Sequence, residues 1–494
     1  MEKDFNPRCV ESCFVLTNVP FSSSSYQGGV TVPYNATLLD KPNLFYHAEG
    51  VIFQPRVGIA YKPFNNNKTV VRGGIGLFST NYTDGIGGTL ANQVPNKFAP
   101  SGLTFGTVGA ANDPASSAAS AQTSANAFFS GFTAGDTLAQ IQTAVKPATF
   151  STPSIASFPN TYLAPKDIEW SFEIQQELDT HNSVSVSYVG NHGYNLQESV
   201  NANMYASATS TKNYGGAYGG LPTAAPDGRF TMVTQYYNDG VSNYNALTLL
   251  YRHMFSYGLS GQIHFTWSHA LGTIAYENPF NLSNSYGSLG FDNRYQTAAD
   301  VLWNQPFKVS NPVANYFIRD WTVAMKMYVY SGAPFSVTDS KISTAVNATG
   351  VLTPLSDLLV PSAINTSCNA SNSIGQPCLP KSDFASYPGS SIGTALQTDW
   401  GNIAPNSFRG PDYFDLDVTV ERSFAIKEKY KFSVGMQAYN VLNHPNFANP
   451  SGSLSSGSFG EITSTLGPPT SIYGTGQGAS VSGRLAVLTG RFTF

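Results

Sequence analysis

The sequence predicts an all-β fold, an antiparallel up-and-down transmembrane β-barrel of about eleven or twelve strands, with long loops on one side and short turns on the other. Three observations predict it. The composition is sparing in charge and generous in aromatics, segment after segment alternates apolar and polar residues at period two, and the connections alternate short with long.

Charged residues make up only 11% of the 494, against about 25% in ordinary globular domains. Aromatics reach 13%, with 27 Tyr and 32 Phe. No run approaches the roughly 18 apolar residues of a spanning helix, which excludes a helical membrane protein. Plentiful aromatic and β-branched residues exclude a disordered chain. Half-apolar strands joined by neutral loops produce this balance, because each strand shows lipid one face and water the other. The net charge of −4 comes without any basic run, so no nucleic-acid partner is expected.

Taken in order, residues 1–50 carry little pattern beyond the loop signals Ser22–Ser25 and Gly28-Gly29 and a candidate strand near Val30 to Leu39. From Val51 alternation begins, with Phe53, Pro55, Val57, Ile59 and Tyr61 on one face. The polar turn Pro63 to Lys68 and the run Thr69 to Ser79 complete a hairpin signature. Residues 80–164 are long, nearly uncharged and of low complexity around Ala110 to Ala127; the whole reads as one large loop, short helices in that core being the alternative.

Asp167 to Leu178 alternates again, with Ile168, Trp170, Phe172 and Ile174 opposite Glu169, Ser171, Glu173 and Gln175. After the turn Asp179 to Asn182 comes the strand Ser183 to Gly190, then a loop near 195–241. Ser242 to Arg252 and Leu259 to Ala270 pair around His253 to Gly258, and a loop follows near 271–298. Asp300 to Ser310 and Trp321 to Val337 form the next pair across the Pro-containing link Asn311 to Asp320. A loop near 338–412 leads to Tyr413 to Phe424 and Tyr430 to Leu442, joined over Ala425 to Lys429. The last loop, 443–483, leads to Arg484 to Phe494.

Every short connection then falls on one side of the meander and every long one on the other, the asymmetry of outer-membrane barrels. Trp170 and Trp267 sit toward the long loops, while Trp321, Phe424, Tyr430 and Phe494 sit toward the short turns. Two aromatic bands are expected where amphipathic rings meet lipid headgroups. Phe414, Leu416, Val418 and Val420 face one way, and Asp415, Asp417, Thr419 and Glu421 the other. Carboxylates at alternate positions are costly against lipid and tolerated in a wet lumen, so Asp415, Asp417 and Glu421 are candidate lumen-facing residues.

The terminal strand places Ala486, Leu488, Gly490, Phe492 and Phe494 on its outer face and stops on Phe without a polar tail. It looks like the C-terminal sorting strand by which the barrel-assembly machinery would take up such a chain, with Leu488, Phe492 and Phe494 carrying the signal. Four cysteines lie in two close pairs, Cys9 with Cys13 and Cys368 with Cys378, which suggests small disulfide loops in an oxidising compartment, free thiols being the alternative.

Other chemistry is not apparent. No G-x-S-x-G or H-E-x-x-H occurs. Gly474 to Ala479 matches a relaxed dinucleotide fingerprint, but a strand follows where a helix should open, so it reads as loop. His264 and His269 have opposite parity, Asn443 to Asn446 reads as a turn rather than a metal site at His444, and Arg409-Gly410-Pro411 reads as the lead into a strand. An enzyme is not expected, nor any metal or cofactor.

Ordered motifs carry a family resemblance: Phe53 to Phe78, Ser242 to Leu271, Ser331 to Val337 (SGAPFSV), Asn406 to Phe424 (NSFRGPDYFDLDVTVERSF) and Tyr439 to Pro450 (YNVLNHPNFANP). Together they resemble the Oar-like TonB-dependent receptors of the Acidobacteria type, from about residue 50 to the end. The resemblance implies a longer architecture of signal peptide, regulatory-like domain, plug and barrel of 22 strands. Met1 to Leu16 is not read as a signal peptide, because charges of both signs come first and no apolar core follows. No plug domain is read either. The expectation is therefore the C-terminal half of such a barrel, a portion of a transporter for a large solute (oligosaccharide, peptide or siderophore), reaching the TonB complex only through a missing N-terminal part. The alternatives are a structural or adhesive surface protein, a small passive pore, and a non-functional gene fragment.

Overall fold

The computed structural model describes residues 51–65, 68–80, 114–146, 161–201, 230–274, 282–339, 358–385, 400–426, 430–466 and 483–494, with short pieces at 47–48, 150, 154–157, 203–205, 225 and 355. Eleven strands run in strict neighbour order through one sheet. They are β1 (Arg56–Tyr61), β2 (Thr69–Ser79), β3 (Lys166–Glu177), β4 (Asn182–Asn201), β5 (Met232–Ser256), β6 (Leu259–Thr273), β7 (Tyr295–Asn304), β8 (Trp321–Tyr330), β9 (Tyr413–Ile426), β10 (Tyr430–Tyr439) and β11 (Leu485–Thr493). Each pairs antiparallel with the next. The result is a partial barrel: among the described residues β1 and β11 do not pair with each other. Among the described residues no helix is long and apolar enough to cross a membrane.

Register makes the two faces continuous from strand to strand. Ile174 lies opposite Val186, Val186 opposite Leu249, and Leu249 opposite Phe265. All four are exposed, at 41%, 39%, 43% and 39%. A second row runs Leu259, Trp303, Val323, Val420, Met436 and Leu488. A soluble sheet would bury such rows; here they form the outward face that meets lipid. One-residue slips would turn every one of these side chains inward, so the apolar rows themselves hold the register.

Turn chemistry closes the short side. Between β3 and β4 the Asp179 carboxylate accepts from the backbone N–H of His181 (2.8 Å) and of Asn182 (3.0 Å). The Asn182 side chain first, then these backbone donors, hold Asp179 below its ordinary pKa. Tyr257 and Gly258, with φ of 49° and 81°, make the two-residue turn between β5 and β6, the twist that suits tight hairpins.

Several boundaries differ from the sequence reading. β4 and β5 reach Asn201 and Met232, well into the segment expected to be loop from 195 to 241. At 20 and 25 residues they exceed the roughly 9–11 needed to span a bilayer. Toward their far ends the side chains are covered rather than half exposed, Val200 and Asn201 fully so, and the lipid–water contrast behind period two is lost. Register shifts near Gly193, Leu196 and Glu198 further scramble the pattern. β7 begins at Tyr295 and ends at Asn304, and the link beyond it contains a helix, α3 (Pro312–Ile318). β8 stops at Tyr330 and β10 at Tyr439.

The stretch 80–164 is not all loop. It holds α1 (Pro114–Ala134) and α2 (Leu138–Ala144), packed around Phe128, Leu138, Ile141, Val145 and Phe150. Its alanines favour helix, and Thr137 caps α2 in a capping box with Gln140. The candidate strand near Val30 to Leu39 and the connection 427–429 lie outside the described residues.

Candidate functional site: the inner face and its mouth

Opposite the apolar rows, the same register assembles a polar row. Arg252 on β5 lies opposite Gln262 on β6, Gln262 opposite Asp300 on β7, Asp300 opposite Lys326 on β8, and Lys326 opposite Asp417 on β9. Charge alternates along it: positive, neutral, negative, positive, negative. Arg252 donates to the Gln262 side-chain amide oxygen at 3.5 Å, and the Gln262 amide N–H donates to the Asp300 carboxylate at 3.5 Å. The Asn440 backbone N–H donates to Asp417 at 3.0 Å, which steadies the carboxylate at the end of the row. A cavity of about 620 Å³ opens here, lined among others by Arg252, Gln262, Asp300, Lys326, Asp417 and Tyr439.

Asp415, Asp417 and Glu421 share this face, lying opposite Tyr328, Lys326 and Thr322 respectively. Their surroundings differ. Asp415 is fully buried, and neither carboxylate oxygen has a hydrogen-bond partner. Above it Tyr330 and Tyr413 stack with ring centroids 4.5 Å apart. His264 lies on the inner row through Ala298 to Tyr328 and Asp415, while His269 sits elsewhere, 3.6 Å from Asp292.

At the long-loop end Arg409 holds the mouth together. Its guanidinium donates to the buried Asp292 carboxylate, to the Asp292 carbonyl (2.8 Å) and to the Gly332 carbonyl (3.2 Å). Asp292 also accepts from the Ala270 backbone N–H at 2.7 Å. Nearby, burial first and then the Arg409 charge lower the pKa of Arg294. Sequence reasoning took Arg409 as a strand lead-in; it does pair, through Phe408 and Arg409 with Pro334 and Phe335. Its link to Asp292 was missed, since a single Asp 117 positions away leaves no spacing signal.

Beyond the mouth, segments of 335–412 and 454–459 build a small module of their own. Phe335, Val337, Leu355, Leu379, Phe384, Ile403, Phe408, Leu454 and Phe459 form its buried core. Cys368 and Cys378 are joined by a disulfide within it, with Cα atoms 5.5 Å apart. Cys9, Cys13 and Gly474 to Ala479 lie outside the described residues. His444 stands in a turn, its backbone N–H donating to the Asn440 side chain at 2.9 Å. Among the described residues no group of three or more His, Cys, Asp or Glu could hold a metal ion.

On the short-turn side the end of β11 exposes Leu488, Phe492 and Phe494, at 83%, 55% and 86%. Phe492 lies opposite Phe432 and stacks on Tyr430 at 5.9 Å.

The family comparison agrees with this architecture. A family model, the outer membrane beta barrel domain, matches residues 4–472. No curated protein matches the chain. Among solved structures, the outer membrane transporter YddB from Escherichia coli aligns over 89% of this chain at 9% identity, with a TM-score of 0.39. FpvA of P. aeruginosa aligns over 90% at 10% identity and 0.38, and the FrpB iron transporter from Neisseria meningitidis over 89% at 9% and 0.36. The chain spans 40%, 33% and 39% of these three proteins. With the family match covering nearly the whole chain, the protein belongs to the outer-membrane β-barrel domain family, whose place is the outer membrane and whose members are barrels rather than enzymes.

Proposed function

We propose that the chain is the barrel portion of a TonB-dependent outer-membrane transporter of the Oar-like kind, lining the route of a large solute from the long-loop side. The observation that carries this reading is the row Arg252, Gln262, Asp300, Lys326 and Asp417, continuous over five strands on the face opposite lipid. Alternating charges offer a hydrated solute successive donors and acceptors without committing the face to one sign. The solute is an oligosaccharide, a peptide or a siderophore; the row suits any hydrogen-bonding ligand. TonB engagement belongs to segments other than the described strands, and the exposed Leu488, Phe492 and Phe494 suit recognition by the barrel-assembly machinery.

Uptake in cells tests this. Deleting the gene should abolish accumulation of one solute, and complementation with Lys326→Glu, assembled at the normal level, should restore it only partly. Unchanged uptake of every candidate solute would refute transport. The loop module with its own core and disulfide supports a second reading, a surface protein that binds partners. In that case trimming the module abolishes attachment and leaves uptake intact.

A further inference from the structure

The link between β7 and β8 is the odd one among the short connections, because it carries a helix within the hairpin that joins them. Asn311 caps α3 by accepting from the backbone N–H groups of Val313 and Ala314, Pro312 follows at its first position, and the helix buries none of its residues. Phe307, Val313, Tyr316 and Phe317 are exposed at 63%, 69%, 47% and 61%. Such a display makes no sense in water, and it adjoins the outer apolar row at Trp303 and Val323. The Trp321 indole N–H fastens the link to the wall by donating to the Phe317 carbonyl at 2.9 Å.

Charge is placed on the same strip. Arg422 projects from β9, its guanidinium 4.5 Å from the Phe424 ring, 5.1 Å from Tyr316, 5.6 Å from Trp321 and 5.8 Å from Phe317. It donates to the Tyr316 carbonyl, and its Nε is buried without a hydrogen-bond partner. Lys308 and Arg319 are exposed on the link, the latter beside Asp320 at 3.2 Å. Three cations against one carboxylate, among rings at the edge of a lipid-facing wall, form an amphipathic strip with a positive rim.

From this we propose that residues 305–320, with Arg422, form a phospholipid-binding anchor lying in the short-turn leaflet of the outer membrane. Phe307, Val313 and Phe317 enter the acyl-chain boundary, while Lys308 and Arg319 engage the phosphate of an anionic headgroup. Arg422 is the positioning residue: its aromatic cage ties α3 flat to the wall, so that the strip lies along the interface. The occupant is phospholipid because the strip continues the face that already meets lipid.

The test is photo-crosslinking of the full chain in phosphatidylcholine vesicles doped with phosphatidylglycerol bearing a headgroup diazirine. Adducts should concentrate on 305–320 and on the peptide containing Arg422. Each Lys or Arg near an anionic lipid surface contributes roughly fivefold, so K308E/R319E should lower adducts there at least about tenfold. Should charge reversal prevent assembly, K308Q/R319Q carries the same comparison. Phe317→Ser should reduce adducts from an acyl-chain diazirine more than from the headgroup probe. Adducts spread evenly over the chain, or unmoved by charge removal, overturn the proposal.

Discussion

The barrel wall and the loop module at its mouth are stabilised in opposite ways. On the wall the large apolar residues are outside: Phe265, Met436 and Leu488 are exposed, while the inner face carries Asp300, Lys326 and Asp417. In the module Phe384, Phe408 and Phe459 are almost completely buried, as in a small water-soluble domain. One chain therefore obeys two solvents. The wall relies on its backbone ladder, because no backbone group can stay unpaired in hydrocarbon, and on lipid for its apolar rows. The module, standing in water, needs a core and a covalent tie.

Mutations that respect one solvent and offend the other should separate the two regions. Phe384→Ala removes a fully buried ring from the module, and a loss of about 3–5 kcal/mol is expected there. Limited proteolysis should then cut within 355–408 while the strands stay protected; protection of the module would erase the contrast. On the wall, Met436→Arg faces lipid and should cost about 2–4 kcal/mol, read by denaturant titration in phospholipid vesicles. Its neighbour Gln437→Arg faces inward and should change stability by under about 1 kcal/mol, so equal losses at both positions would contradict the assignment of faces.

The covalent tie should matter less than the core it sits in. Cys368 and Cys378 enclose a short loop, and replacing both with Ser should lower module stability by about 2–3 kcal/mol. The matching observation is a reductant-sensitive proteolysis pattern confined to the module. Smallest of all is the pH response of the β3–β4 turn. Asp179 has its folded pKa held below the unfolded value, so its contribution is present above about pH 4 and fades as pH falls through the depressed value. Amide protection factors at His181 and Asn182, taken relative to intrinsic exchange at each pH, should fall in acid, and Asp179→Asn should flatten that dependence.

The alternation of apolar and polar positions was legible in the chain itself. Phe414, Leu416, Val418 and Val420 alternate with Asp415, Asp417, Thr419 and Glu421, and the sheet keeps both sets as written. Eleven strands and the sorting of short and long connections followed from the same alternation, because lipid on one face and water on the other impose period two. Where that contrast disappears, so did the signal. The far ends of β4 and β5 are covered, with Val200 and Asn201 fully buried, and the helices of 114–144 bury a core that alanine-rich sequence does not announce. α3 left a partial mark in Asn311-Pro312, a cap followed by proline at the first helical position. The sequence by itself thus determined the alternation of apolar and polar side chains along each strand, since that pattern is written locally, residue by residue. Only the tertiary structure decided which residues stand opposite one another, and with them the charge row from Arg252 to Asp417 and the pairing of Arg409 with Asp292. Those partners are brought together by register across strands, and register is a property of the assembled sheet.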